Sequence, residues 1–104
     1  ISQSELLTAL KSPDQNIVVL DVRSAEEFAN GHLVDAINVS HNTVAENLNQ
    51  LSQYKNSTVV VHCRSGYRAS IAERILAKNG FKNLRHLTGD MNGWLDAKLP
   101  IVKE

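Results

Sequence analysis

Strands alternating with helices along the chain predict an α/β fold with a mostly parallel central sheet flanked by helices. Three observations carry that expectation. Thr58-Val59-Val60-Val61 is β-branched and apolar without alternation, as a strand covered on both faces requires. Ile17-Val18-Val19-Leu20 is a second run of the same kind. Between such runs, apolar residues recur every three or four positions behind helix-capping signals.

In chain order, Ser2-Gln3-Ser4-Glu5 has capping-box spacing and precedes Leu6, Leu7 and Leu10, so a short amphipathic helix starts here and ends near Ser12-Pro13. Residues 17–20 form the first strand, which runs into Asp21-Val22-Arg23. Ser24-Ala25-Glu26-Glu27 is a second capping box, opening a helix through Phe28 that closes at Asn30-Gly31. Ala36-Ile37-Asn38-Val39 is a short strand. Thr43-Val44-Ala45-Glu46 is a third capping box, with Val44, Leu48 and Leu51 as the apolar stripe of its helix. After the strand at 58–61, helical spacing runs from Tyr67 through Ala69, Ile71, Ala72, Ile75 and Leu76 to a stop at Asn79-Gly80. Leu84-Arg85-His86-Leu87 is the last strand, and residues 91–97 form a helix that packs Trp94 and Leu95 and ends before Pro100.

A chain of 104 residues is expected to be one domain spanning residues 1–104, able to bury roughly two thirds of its unfolded surface without disulfides or metals. Its single cysteine excludes an internal disulfide and leaves the compartment open. Eleven basic and eleven acidic residues balance, which argues against a nucleic-acid or anionic-membrane surface. No uninterrupted apolar run exceeds the four residues 17–20, far short of a membrane span. The chain opens on Ile1, so a leader or a larger amino-terminal region is expected to have been removed.

The chemistry is expected at Cys63, which follows the buried strand and precedes a glycine-bearing loop and a helix. A helix amino terminus offers unpaired N–H groups and a partial positive charge, which favour a sulfur anion and can hold an anionic substrate. Arg64 and Arg68 act in the same direction, and Gly66 lets the loop curl with its amides inward. The competing reading makes Cys63 one more buried small hydrophobe, the commoner role of a free cysteine. Here the strand end, the loop and the flanking arginines favour a nucleophile. His32, His41, His62 and His86 show no ligand spacing to one another or to Cys63, so neither metal nor cofactor is expected. His32 is read as fixing a turn, His62 as packing beside the strand and Trp94 as core. Asp21 and Arg23 are read as shaping the mouth of the site or pairing structurally.

These landmarks resemble the rhodanese-like domain along nearly the whole chain. Asp21-Val22-Arg23, Glu26-Glu27-Phe28, Gly31-His32-Leu33 and Ala36-Ile37-Asn38 look like its first signature. Cys63-Arg64-Ser65-Gly66-Tyr67-Arg68 is similar to its active-site loop, and Leu87-Thr88-Gly89 with Trp94 to its carboxyl-terminal signature. Val34-Asp35 stands where the family usually has Pro-Gly, and Asp90 where a second glycine is common; both departures are expected to alter turn geometry without touching the loop. The resemblance implies a three-layer rhodanese-like fold and a thiosulfate sulfurtransferase, the short chain resembling the family's stand-alone bacterial members. With the opening on Ile1, this inclines the expected location to the bacterial periplasm over the cytoplasm.

The implied reaction moves a sulfane sulfur from thiosulfate, or another persulfide donor, through a persulfide on Cys63 to a thiophilic acceptor: cyanide, a small thiol or a protein thiol. Amides of residues 64–68 would stabilise the anionic sulfur. Arg64, Ser65, Gly66, Tyr67 and Arg68 form the expected substrate-binding set, though Arg64 and Arg68 could instead be tied to a carboxylate such as Asp21 or Glu73. A cysteine phosphatase or arsenate reductase is the nearest rival, because His62-Cys63 followed by an arginine is similar to the phosphatase signature. That signature needs five residues between cysteine and arginine to wrap a phosphate. Here four precede Arg68 and the next residue is Ala69, a loop better suited to a single sulfur. A non-catalytic binding module on the same fold is the remaining alternative.

Overall fold

The computed structural model describes residues 1–12 and 16–103. Its sheet is built on β1 (Ile17–Asp21) and β3 (Thr58–His62), the two apolar runs, with β2 (Ile37–Asn38) and β4 (Leu84–His86) outside them in the order β2-β1-β3-β4. All three pairings are parallel. Their register sets Asp21 opposite both Asn38 and His62, and Val61 opposite His86. The carboxyl ends of all four strands therefore gather these residues at one edge of the sheet.

Alternate residues of the central strands enter two separate cores, as the pleat demands. Leu20, Val59 and Val61 pack with Val44, Leu51, Ala69, Ala72, Leu76 and Phe81 on the face covered by α3 (Leu48–Leu51) and α4 (Tyr67–Lys78). Val19 and Val60 pack with Leu6, Leu33, Leu87, Met91 and Trp94 on the face covered by α1 (Gln3–Leu10) and α5 (Asp90–Asp96). The three layers follow from this sorting.

The capping boxes at Ser2 and Ser24 form with both reciprocal hydrogen bonds, at the heads of α1 and α2 (Ala25–Ala29). Lys11 caps the end of α1; Pro13, which the sequence places at that stop, lies outside the described residues. The third box does not form. Thr43 closes a 3-10 turn (His41–Thr43), and its Oγ1 donates to the Ser40 carbonyl instead of accepting from position 46. An N-cap needs extended backbone, which a residue already inside a helical turn lacks. The expected single helix is instead a chain of 3-10 turns around the four-residue α3. Its apolar stripe still packs: Val44 and Leu51 are buried and Leu48 lies against them. Trp94 is core, its indole Nε1 donating to the Pro100 carbonyl at 2.9 Å. Among the described residues no helix is long and apolar enough to cross a membrane.

Candidate active site

Cys63 is the first residue beyond β3, and its side chain is only 1% exposed. The turn that follows leads directly into α4, with Gly66 as N-cap at φ 115°, a conformation that residues with a Cβ rarely adopt. In that turn the Gly66 N–H donates to Cys63 Sγ at 3.0 Å. The first-turn amides of α4 have no intrahelical acceptor, so the sulfur sits at the positive end of a twelve-residue helix. His62 is fully buried one residue earlier, where Nδ1–H donates to the Cys63 carbonyl at 3.0 Å. Burial pushes its pKa down despite the attraction of Asp21, so the ring is neutral.

The six loop residues separate into distinct environments. Arg64 and Ser65 are exposed, and Tyr67 is 76% exposed. Arg68 is committed to Glu27 of α2, donating at 2.7 and 3.0 Å, so the carboxylate that holds it is neither Asp21 nor Glu73. Asp21 is taken by Arg23, which grips it through Nε and a terminal nitrogen and also donates to the Gly31 carbonyl. Glu73 is taken by His86. Arg64 makes no ion pair among the described residues. It borders a cleft of about 240 Å³ with Arg23, Glu27, Met91, Leu95 and Ile101. Two of these charges, Arg23 and Glu27, are already neutralised by partners, which leaves Arg64 as the cleft's cation without an ion pair among the described residues.

One wall of the cleft comes from the segment after α5. His32 and Val102 exchange two backbone hydrogen bonds at 2.9 Å, and Ile101 Cδ1 lies 2.9 Å from where a side chain at Gly31 would begin. His32 itself holds the turn after α2, with Nδ1 on the Phe28 carbonyl at 2.8 Å and its ring stacked on that of Phe28.

The expectation that the two departures from the family pattern leave the loop untouched is overturned for Asp90. Asp35 and Asp90 both have positive φ, 61° and 52°, so aspartates hold backbone angles where glycine is more usual. Asp90, however, is 3% exposed, and its Oδ1 accepts the backbone N–H of Cys63 at 3.0 Å. Its Oδ2 meets His86 Nε2 at 2.9 Å, and His86 Nδ1 meets Glu73 Oε2 at 2.6 Å. Spacing alone hid this cluster, because its members come from α4, β4 and α5; the one local sign was an aspartate in a glycine's place.

The rhodanese-like domain family matches residues 2–97, and the chain belongs to that family. A tRNA uridine(34) hydroxylase of Buchnera aphidicola is 32% identical over 108 residues, covering 96% of this chain and 33% of that protein. A putative mitochondrial thiosulfate sulfurtransferase of Schizosaccharomyces pombe is 32% identical over 94 residues, covering 80% of this chain and 66% of that protein. The chain thus spans about a third of the first relative and just under two thirds of the second. A solved rhodanese-related protein of Thermoplasma volcanium superposes with a TM-score of 0.86 at 26% identity, over 100% of this chain and 97% of that one. Fold and family together define a sulfur-transfer type of protein.

Proposed function

We propose that this domain is a thiosulfate sulfurtransferase with Cys63 as its nucleophile. The observation that carries this reading is the sulfur itself: Cys63 Sγ is bonded by the Gly66 amide at 3.0 Å, at the head of α4 and beside the unpaired Arg64. The Cys63 thiolate attacks the outer sulfur of thiosulfate. A Cys–S–S⁻ bond forms, the sulfur–sulfur bond of thiosulfate breaks, and sulfite leaves with its electron pair. Arg64 meets the sulfonate end and, being exposed and unpaired, moves with it as the donor reaches the loop. The persulfide anion then rests against the Gly66 amide and the first-turn amides of α4. Attack by cyanide or a thiolate on the terminal sulfur carries that atom away and restores the Cys63 thiolate. Arg68 holds the loop to α2 through Glu27, and Ser65 and Tyr67 lie exposed on either side of Gly66.

Intact mass after incubation with thiosulfate tests the reading. A gain of one sulfur atom, discharged by cyanide as thiocyanate and absent from Cys63→Ser, is the expected result. No gain with thiosulfate or a small persulfide donor would overturn it, and turnover of a phosphate ester by the same sample would replace it.

A further inference from the structure

We propose that His86 is a positioning residue for this reaction, acting through Asp90 on the backbone of Cys63. The inference rests on the sulfurtransferase reading for its kinetic consequence, though not for its geometry. Asp90 joins two things at once: Oδ1 fixes the Cys63 N–H, and Oδ2 faces the His86 ring. The cluster lies directly under the loop, since a Cβ on Gly66 would meet Asp90 Oδ2 at 3.2 Å and His86 Nε2 at 3.7 Å. Glu73 holds the other ring nitrogen from α4, the helix whose first turn cradles the sulfur.

A neutral imidazole carries one N–H and can donate to one of the two carboxylates; the other then faces a lone pair. The imidazolium donates to both. The ring bonded at both nitrogens therefore fits the protonated form of His86, with Asp90 Oδ1 aimed at the Cys63 amide. Losing that proton releases one carboxylate and slackens the tie between β4, α4 and the loop. The titratable groups facing the ring are Glu73 from α4 and Asp90 from α5, with Cys63 beyond Asp90 at the end of β3; the amino group of Ile1 bonds the His86 carbonyl, not the ring. Partial burial disfavours the cation, but the hydrogen bonds to Asp90 and Glu73 outweigh it and raise the pKa above the ordinary 6.5. The device thus titrates above the ordinary histidine value.

Two measurements test it. In nitrogen-15 spectra of the whole chain, the Cys63 amide of the wild type is expected to shift with pH at the midpoint of the His86 ring, and this shift is expected to vanish in His86→Ala and in His86→Gln. In the mass assay, His86→Ala is expected to load sulfur from thiosulfate roughly 10- to 100-fold more slowly, the scale of a misplaced reacting group, with the KM little changed. His86→Gln recovers part of the rate without a proton to lose, so the ratio of wild-type to His86→Gln rates falls as pH rises through the His86 midpoint. A Cys63 amide blind to the His86 titration, or a pH-independent ratio, overturns the proposal. A wild type that gains no sulfur defeats the sulfurtransferase reading instead, and the amide titration still decides the role of His86.

Discussion

Arg68 and Glu27, 41 residues apart in sequence, close two hydrogen bonds that fasten the head of α4 to α2. The same carboxylate also serves the N-cap of α2, accepting from the Ser24 N–H and hydroxyl. A loop arginine that sequence alone leaves open between substrate and scaffold is thereby part of the scaffold.

The pair predicts a pH-dependent contribution to stability. The hydrogen bonds from Arg68, opposed by burial and aided by those from Ser24, hold Glu27 down to about 2 from 4.5. Because the folded pKa is the lower one, the stabilisation is full above about pH 4.5 and drains away as pH falls towards 2. Both side chains are partly exposed, so solvent screening trims its size. Arg68→Ala is expected to cost about 1–2 kcal/mol at pH 7 and a few tenths at pH 2.5. Urea unfolding at the two pH values checks this; an equal cost at both would show that the charge on Glu27 is irrelevant.

Arg64 should behave in the opposite way. With no ion pair among the described residues to lose, Arg64→Ala is expected to leave unfolding free energy within about 0.5 kcal/mol of wild type. Its loss from the cleft is expected to raise the KM for thiosulfate about 10-fold or more, the worth of a charge-assisted contact. Steady-state kinetics decide it, and an unchanged KM would remove Arg64 from the anion site.

At Gly66 conformation and space act together. An alanine there would have to hold φ near 115° with its Cβ 3.2 Å from Asp90 Oδ2. Gly66→Ala is expected to cost about 1–3 kcal/mol or to rotate the turn so that its amide leaves the sulfur. Either outcome slows sulfur loading in the mass assay; an alanine variant with wild-type stability and rate would show that the turn has room to spare.

The two positive-φ aspartates should respond differently to glycine. Asp35→Gly relieves backbone strain at an exposed position and adds chain entropy, so its net effect is expected to stay within about 0.5 kcal/mol. Asp90→Gly gains the same relief but strands the buried Cys63 N–H, and is expected to cost about 1–3 kcal/mol as well as slow loading. Thermal unfolding of the two variants side by side tests the contrast, which fails if their midpoints shift alike.

What could be read from the sequence was what local patterning encodes. β-branched runs gave β1 and β3, two capping boxes gave α1 and α2, and Cys63 followed from its place between a strand and a helix with a glycine near its head. The third capping box misled because its residue types also satisfy a 3-10 turn, in which Thr43 has a nearer acceptor in Ser40. The pairing of Asp21 with Arg23, two residues on, was one of the readings open for them, but the partners of Arg68 and Glu73 were out of reach for a different reason. Each is chosen by the parallel register and by helix docking, which bring together side chains from separate elements. Asp90 shows the same limit: a departure from the family pattern was visible, but its hydrogen bond to the backbone of Cys63 was not.

The strand that carries Cys63 and one wall of the cleft are held in different ways. Cys63 extends from the strand flanked on both sides by hydrogen-bonded neighbours, the part of such a sheet that exchanges its amide protons only on near-global unfolding. The wall carrying Ile101 hangs on the two backbone bonds between His32 and Val102. Opening of that clip is therefore expected to cost less than opening β3, so the width of the cleft changes at residues 101 and 102 while the position of Cys63 does not.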